Sequence, residues 1–90
     1  MIVFPPGEEF DAERAEVRFP VSIIGKPVIC RITVAALVSR YGGGRDAGDA
    51  LAAFRAHRGE VEARVRRKLL QGQYETNRTI LIGTADLATR

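Results

Sequence analysis

Wound as one α-helix, residues 49–72 place Leu51, Phe54, Val61, Val65 and Leu69 within a sector about 80° wide, and Arg58 falls inside it. Such a stripe must lie on a second apolar layer. A guanidinium keeps its proton, so Arg58 needs an acceptor once the stripe is covered. Glu62, one turn onward, is the nearest candidate, with Asp86 or an acid from residues 8–13 as alternatives. A helix this long runs about 34 Å, against about 17–20 Å for an ordinary strand, so its far end is expected to overhang a sheet. Gly59 costs about 1 kcal/mol against Ala and marks a place for a bend.

The second layer is legible upstream. From Glu16 to Ile24 the chain alternates, with Val17, Phe19, Val21 and Ile23 pointing one way and Arg18 and Ser22 the other. Pro20 cannot donate to a ladder, which predicts an edge or a bulge there. Gly25-Lys26-Pro27 reverses the chain. Because Pro27 disfavours the α region at Lys26, a loop slightly wider than two residues is expected. Val28–Ile32 returns as a strand with Val28, Cys30 and Ile32 on one face. Ile2-Val3-Phe4 reads as a short first strand stopped by Pro5-Pro6-Gly7, and residues 8–15 read as a polar turn.

Thr33 is a suitable N-cap for a short helix, Val34–Tyr41, which Gly42-Gly43-Gly44 ends, the first glycine taking the αL position. Asp46 or Asp49 caps the long helix. Gly72–Arg78 is a polar link, and Thr79–Gly83 a final strand. The expected architecture is a two-layer α+β domain spanning residues 1–90. Its mostly antiparallel sheet has about four strands in the order β-β-β-α-α-β, with one short and one long helix on one face.

The stretches AEVRFP (15–20), VICRIT (28–33) and AAFRAHRGEVE (52–62), with Gly25 and the late Asp86, resemble the bacterial DUF1488 family over residues 3–87. Phe54, Arg58 and Glu62 fall on typical family positions, and Val61 stands where Ile is common. Val65 departs from a usual small residue, and the Gly42–Gly44 loop lies where members vary. The resemblance implies an α+β domain of about this size and no activity.

The residues themselves restrict chemistry further. His57 is the single histidine, so no two-histidine metal site forms within one chain. Cys30, the single cysteine, excludes an internal disulfide and belongs to the inward set of its strand. A Cys30–His57 dyad lacks any visible orienting group or oxyanion site. The Gly42–Gly44 loop lacks the Lys-Ser/Thr of a P-loop and follows a helix rather than a strand, so it reads as a connector. No catalytic, cofactor or metal residue is expected. Arg58 and Glu62 form the candidate structural ion pair or anion site.

The net charge of +3 conceals a polarity. Glu8, Glu9, Asp11, Glu13 and Glu16 crowd the first sixteen residues, while Arg64, Arg66, Arg67 and Lys68 follow one another without an acid. Helical winding sets Arg64, Arg67 and Lys68 on one side and Arg66 on another. With no apolar run near eighteen residues and no signal-like start, the expectation is a cytoplasmic protein without a membrane span. The leading expectation is a non-catalytic accessory domain acting through contacts with another protein. Edge-strand hints, the overhanging helix and the opposed charges make a homodimer one form of this. The alternative is a nucleic-acid-binding or regulatory accessory protein that contacts phosphates through Arg64, Arg67 and Lys68.

Overall fold

The computed structural model describes residues 1–88. Along the chain run β1 (Ile2–Val3), β2 (Glu9–Asp11), β3 (Glu16–Ile23), β4 (Lys26–Thr33), α1 (Val34–Tyr41), α2 (Ala47–Ala56), α3 (Arg58–Leu70), β5 (Ile80–Ile82) and α4 (Thr84–Ala88). The strands form one sheet in the order β1-β3-β4-β5, with β2 beside β1 on the same flank of β3. All pairs are antiparallel except β4 with β5, which the three intervening helices make parallel. The α+β two-layer expectation holds, with one more strand and two more helices than the pattern predicts.

The hairpin between β3 and β4 sets the register. Ile23 pairs with Lys26, so the turn is the two residues Ile24-Gly25, tighter and earlier than the predicted loop at residues 25–27. Both take positive φ, 51° at Ile24 and 80° at Gly25, the geometry that matches strand twist in a two-residue turn. Pro27 then becomes the second residue of β4, where an extended Lys26 before it suits the ring. Pro20 lies in an interior strand, yet β2 pairs only as far as Arg18 and β1 begins at Ser22. The proline therefore falls in the gap left by Pro5-Pro6-Gly7. Residues 9–11, expected as part of a turn, form β2 because Phe10 opposite Val17 adds an apolar side chain to the inner face.

One sheet face carries Val17, Phe19, Val21, Cys30, Ile32, Ile80 and Ile82, all buried, and the helices close over it. Phe54, Val61 and Val65 of the predicted stripe are buried there, and Leu51 and Leu69 pack against the same core. The single helix is not continuous. It breaks at His57 (φ −121°, ψ 23°), two residues before Gly59, and α2 and α3 follow the curved sheet as two shorter rods. The basic end of α3 does not overhang, because β5 and the unforeseen α4 lie beneath it.

The caps follow their chemistry. Thr33 Oγ1 accepts from Ala36 N at 3.0 Å, and Asp46 Oδ1 from Asp49 N at 2.8 Å. Gly42 ends α1 at φ 78°, ψ −161°, a positive-φ conformation outside the expected αL region. Among the described residues, no helix is long and apolar enough to cross a membrane.

Candidate functional site

Arg58 is answered from three sides. Its Nε donates to Glu62 Oε2 at 2.7 Å, Nη1 to Glu8 Oε1 at 3.0 Å and Nη2 to the Pro5 carbonyl at 2.9 Å. Its guanidinium carbon also lies 5.3 Å from the centre of the Phe54 ring. Glu8 binds Arg55 as well. The hydrogen bond from Arg55, opposed by burial, holds the Glu8 carboxyl below its ordinary range. The head of Arg58 thus straps the segment before β2 onto both helices. Asp86, one of the alternative acceptors, is elsewhere. An external anion at Arg58 would meet two carboxylates already in place.

At the far end of α3, Lys68 Nζ donates to the Leu81 carbonyl at 2.6 Å and pairs with Asp86 Oδ2 at 3.1 Å. Arg64 Nη1 donates to the Asp86 carbonyl at 3.2 Å, and the Asp86 carboxylate accepts from Gly83 N. Arg64, Arg67, Lys68, Gln71, Gln73 and Asp86 line a depression of about 250 Å³. Two of its three cations therefore already hold α4 and the outer edge of β5. Arg66 stands apart, over the Phe4 ring at 5.7 Å.

Cys30 is fully buried, and burial pushes its thiol up to about 12. His57 stacks on Tyr41, with ring centres 3.8 Å apart and planes 2° from parallel. Tyr41 donates to Glu60 Oε1 at 2.8 Å, and burial together with that bond raises the phenol to about 12. Hydrogen bonds from Arg40 and then Tyr41 lower the Glu60 carboxyl. The thiol and the imidazole share no hydrogen bond. Among the described residues, no group of three or more His, Cys, Asp or Glu is placed to hold a metal ion.

Sequence reasoning missed the most deeply set ion pair. Arg31 Nη1 bonds Glu16 Oε2 at 3.0 Å and Oε1 at 3.2 Å, Arg31 Nε donates to Thr79 Oγ1 at 3.1 Å, and that hydroxyl donates to Asn77 Oδ1 at 2.7 Å. Three of the acids at the start of the chain thus disperse among other arginines, Glu9 to Arg18, Glu16 to Arg31, and Glu8 to Arg55 and Arg58.

The second sheet face, away from the helices, is sorted by register. Val3, Ser22 and Pro27 form one cross-strand row, Pro20 and Ile29 the next, and Glu9, Arg18, Arg31 and Leu81 a third. Val3 and Ile29 are exposed there, with Met1 and Ile24 exposed at the turn end. Beside Ile29 a depression of about 270 Å³ opens between the β1 and β2 flanks, lined also by Glu9, Arg18, Phe19 and Pro20. The face is therefore apolar toward the hairpin turn and charged toward the other end.

No functionally curated protein matches this chain. Among solved structures it is similar to a protein of unknown function from the DUF1488 family of Shewanella loihica PV-4, at 18% identity, with 90% of each chain covered and a TM-score of 0.84. That likeness establishes a shared fold. The family model for DUF1488, a protein of unknown function, matches residues 2–82, and the chain belongs to that family.

Proposed function

We propose that this chain is a non-catalytic accessory domain that works by contact with a protein surface, through the sheet face its helices leave uncovered. The observation that carries this reading is the register-aligned apolar half of that face, where Val3 and Ile29 stand exposed beside Pro20 and Pro27. Ile24 adds to it. A β-branched residue at φ 51° is strained, and this one is 80% exposed, so neither turn chemistry nor burial accounts for an isoleucine there. The buried thiol and the stacked imidazole favour a role without catalysis. The engagement of Lys68 and Arg64 by α4 and β5 makes the basic end of α3 a poorer phosphate site than its sequence suggests.

A photo-activated cross-linker placed at Ile29 in living source cells tests this, with the exposed helix position Ala52 as control. A protein adduct at Ile29 and none at Ala52 supports the reading; equal labelling at both overturns it. Duplex or single-stranded DNA binding that is salt-dependent and lost on neutralising Arg64, Arg67 and Lys68 would replace it with the nucleic-acid alternative. Rapid alkylation of native Cys30 would reopen catalysis.

A further inference from the structure

We infer that the occupant of the open face is a second copy of this chain, stacked face to face across a two-fold axis; the inference rests on the reading that this face is the working surface. Its edges do not invite strand addition. The half of β4 that β5 leaves unpaired begins with Lys26 and Pro27, two residues that discourage a further strand. On the outer side of β5, Lys68 already occupies the Leu81 carbonyl. The opposite flank is interrupted between Val3 and Glu9 by Pro5 and Pro6. With its edges closed in this way, the sheet associates through its face.

That face is complementary to itself. Ile29 is a protruding branched side chain on the rim of a 270 Å³ depression, so a two-fold axis beside it seats the Ile29 of each copy in the hollow of the other. Glu9 and Arg18 oppose each other in one row and pair loosely, 3.9 Å apart on exposed side chains. Each copy thus presents one acid and one base side by side, and the same rotation lets Arg18 reach Glu9 of the partner subunit. A face of one sign could not pair with itself.

The area fits a reversible dimer. The strands hold 2, 3, 8, 8 and 3 residues, which at about 3.3 Å by 4.8 Å per residue offer roughly 380 Å² per copy, or about 760 Å² in all, the size of a weak, transient contact. Association is therefore expected to be concentration-dependent rather than permanent.

Sedimentation of the full chain from about 5 µM to about 1 mM reads this directly, since the dimer fraction must rise across that range. Ile29→Glu places a charge at the axis and is expected to weaken association by about 30-fold or more, while Ala52→Glu leaves it unchanged. Arg18→Glu should weaken it too, and adding Glu9→Arg should restore it. Circular dichroism confirms that each variant is folded, which their exposed positions favour. A wild type that stays monomeric throughout, or a dimer indifferent to both Ile29→Glu and Arg18→Glu, overturns the inference. If the cellular Ile29 adduct is then a different protein, the interaction reading stands without the dimer. If there is no adduct either, both fall.

Discussion

Arg31 and Arg58 both meet carboxylates, one from a strand and one from a helix, and the two sites differ in depth and in how openly the sequence announces them. Arg31 and Glu16 are 11% and 8% exposed in their side chains, whereas Arg58 and Glu62 are each 24% exposed. Arg58 interrupts an apolar helical stripe, so its need for an acceptor is visible from periodicity alone. Arg31 occupies the polar phase of an alternating strand, where a charge is expected to meet water. The deeper pair is therefore the quieter one. An anomaly in a pattern marks a charge that the pattern itself buries, and misses a charge that is covered by something remote in sequence, here Thr79 and its turn.

The largest expected effect follows from that depth. Glu16→Ala leaves the Arg31 guanidinium enclosed without its carboxylate and should cost about 3–5 kcal/mol in urea denaturation. Replacing both residues together, as Glu16→Leu with Arg31→Met, should cost much less, because no uncompensated charge remains. If Glu16→Ala costs under about 1 kcal/mol, as an exposed pair would, the contrast in depth fails.

At Arg58 the expected loss is smaller and shared. Arg58→Ala removes charge-assisted bonds to Glu62, Glu8 and the Pro5 carbonyl, at about 2 kcal/mol. Glu62→Ala alone should cost less than half of that, since Glu8 and the carbonyl stay. Arg58→Lys should recover little, because one ammonium cannot reach three acceptors set around a planar fork. Equal losses for Glu62→Ala and Arg58→Ala would mean that the strap through Glu8 contributes nothing.

Register explains why one pair was legible and the other not. The strands, their inward sets and the helical stripe follow from periodicity, as does Thr33 as a cap. The Glu16–Arg31 diagonal follows only once Ile23 is known to face Lys26, and the predicted loop at residues 25–27 would have shifted every partner in the hairpin. Ile24 hid the turn, since a β-branched residue is the wrong one for positive φ. The break was legible to within two residues, since Gly59 marks a place for a bend, but its position at His57, where the Tyr41 ring stacks, was not. Nor was the docking of Lys68 and Arg64, which needs α4, five residues too short to leave a periodic signal.

The turn itself supplies a third test. Ile24→Asn gives the hairpin the Asn-Gly pair that its geometry prefers and gives up no buried surface. Stability should rise by about 1 kcal/mol, with the Glu16–Arg31 coupling unchanged. If the coupling weakens, register is not set at this turn. The same substitution also separates stability from function. A chain that becomes more stable while its self-association drops would show the isoleucine at work on the open face.

The smallest effect sharpens the comparison by pH. Glu8 titrates below its ordinary value of 4.5, chiefly through the hydrogen bond from Arg55 and then through Arg58. A carboxyl lowered on folding contributes stability that is fully present above the unfolded value and is lost as pH falls through the folded one. The wild type and Glu8→Gln should therefore have the same thermal midpoint near pH 2, separate as pH rises through the lowered value of Glu8, and hold their full separation above about 4.5, with the wild type higher. The separation should be modest, because Arg55 is 60% exposed and water screens it. Arg58→Ala should shrink that separation further without abolishing it, since Arg55 remains to hold Glu8. A separation of the opposite sign would mean that Glu8 is held at a cost, and that the strap over the helices is tolerated rather than favourable.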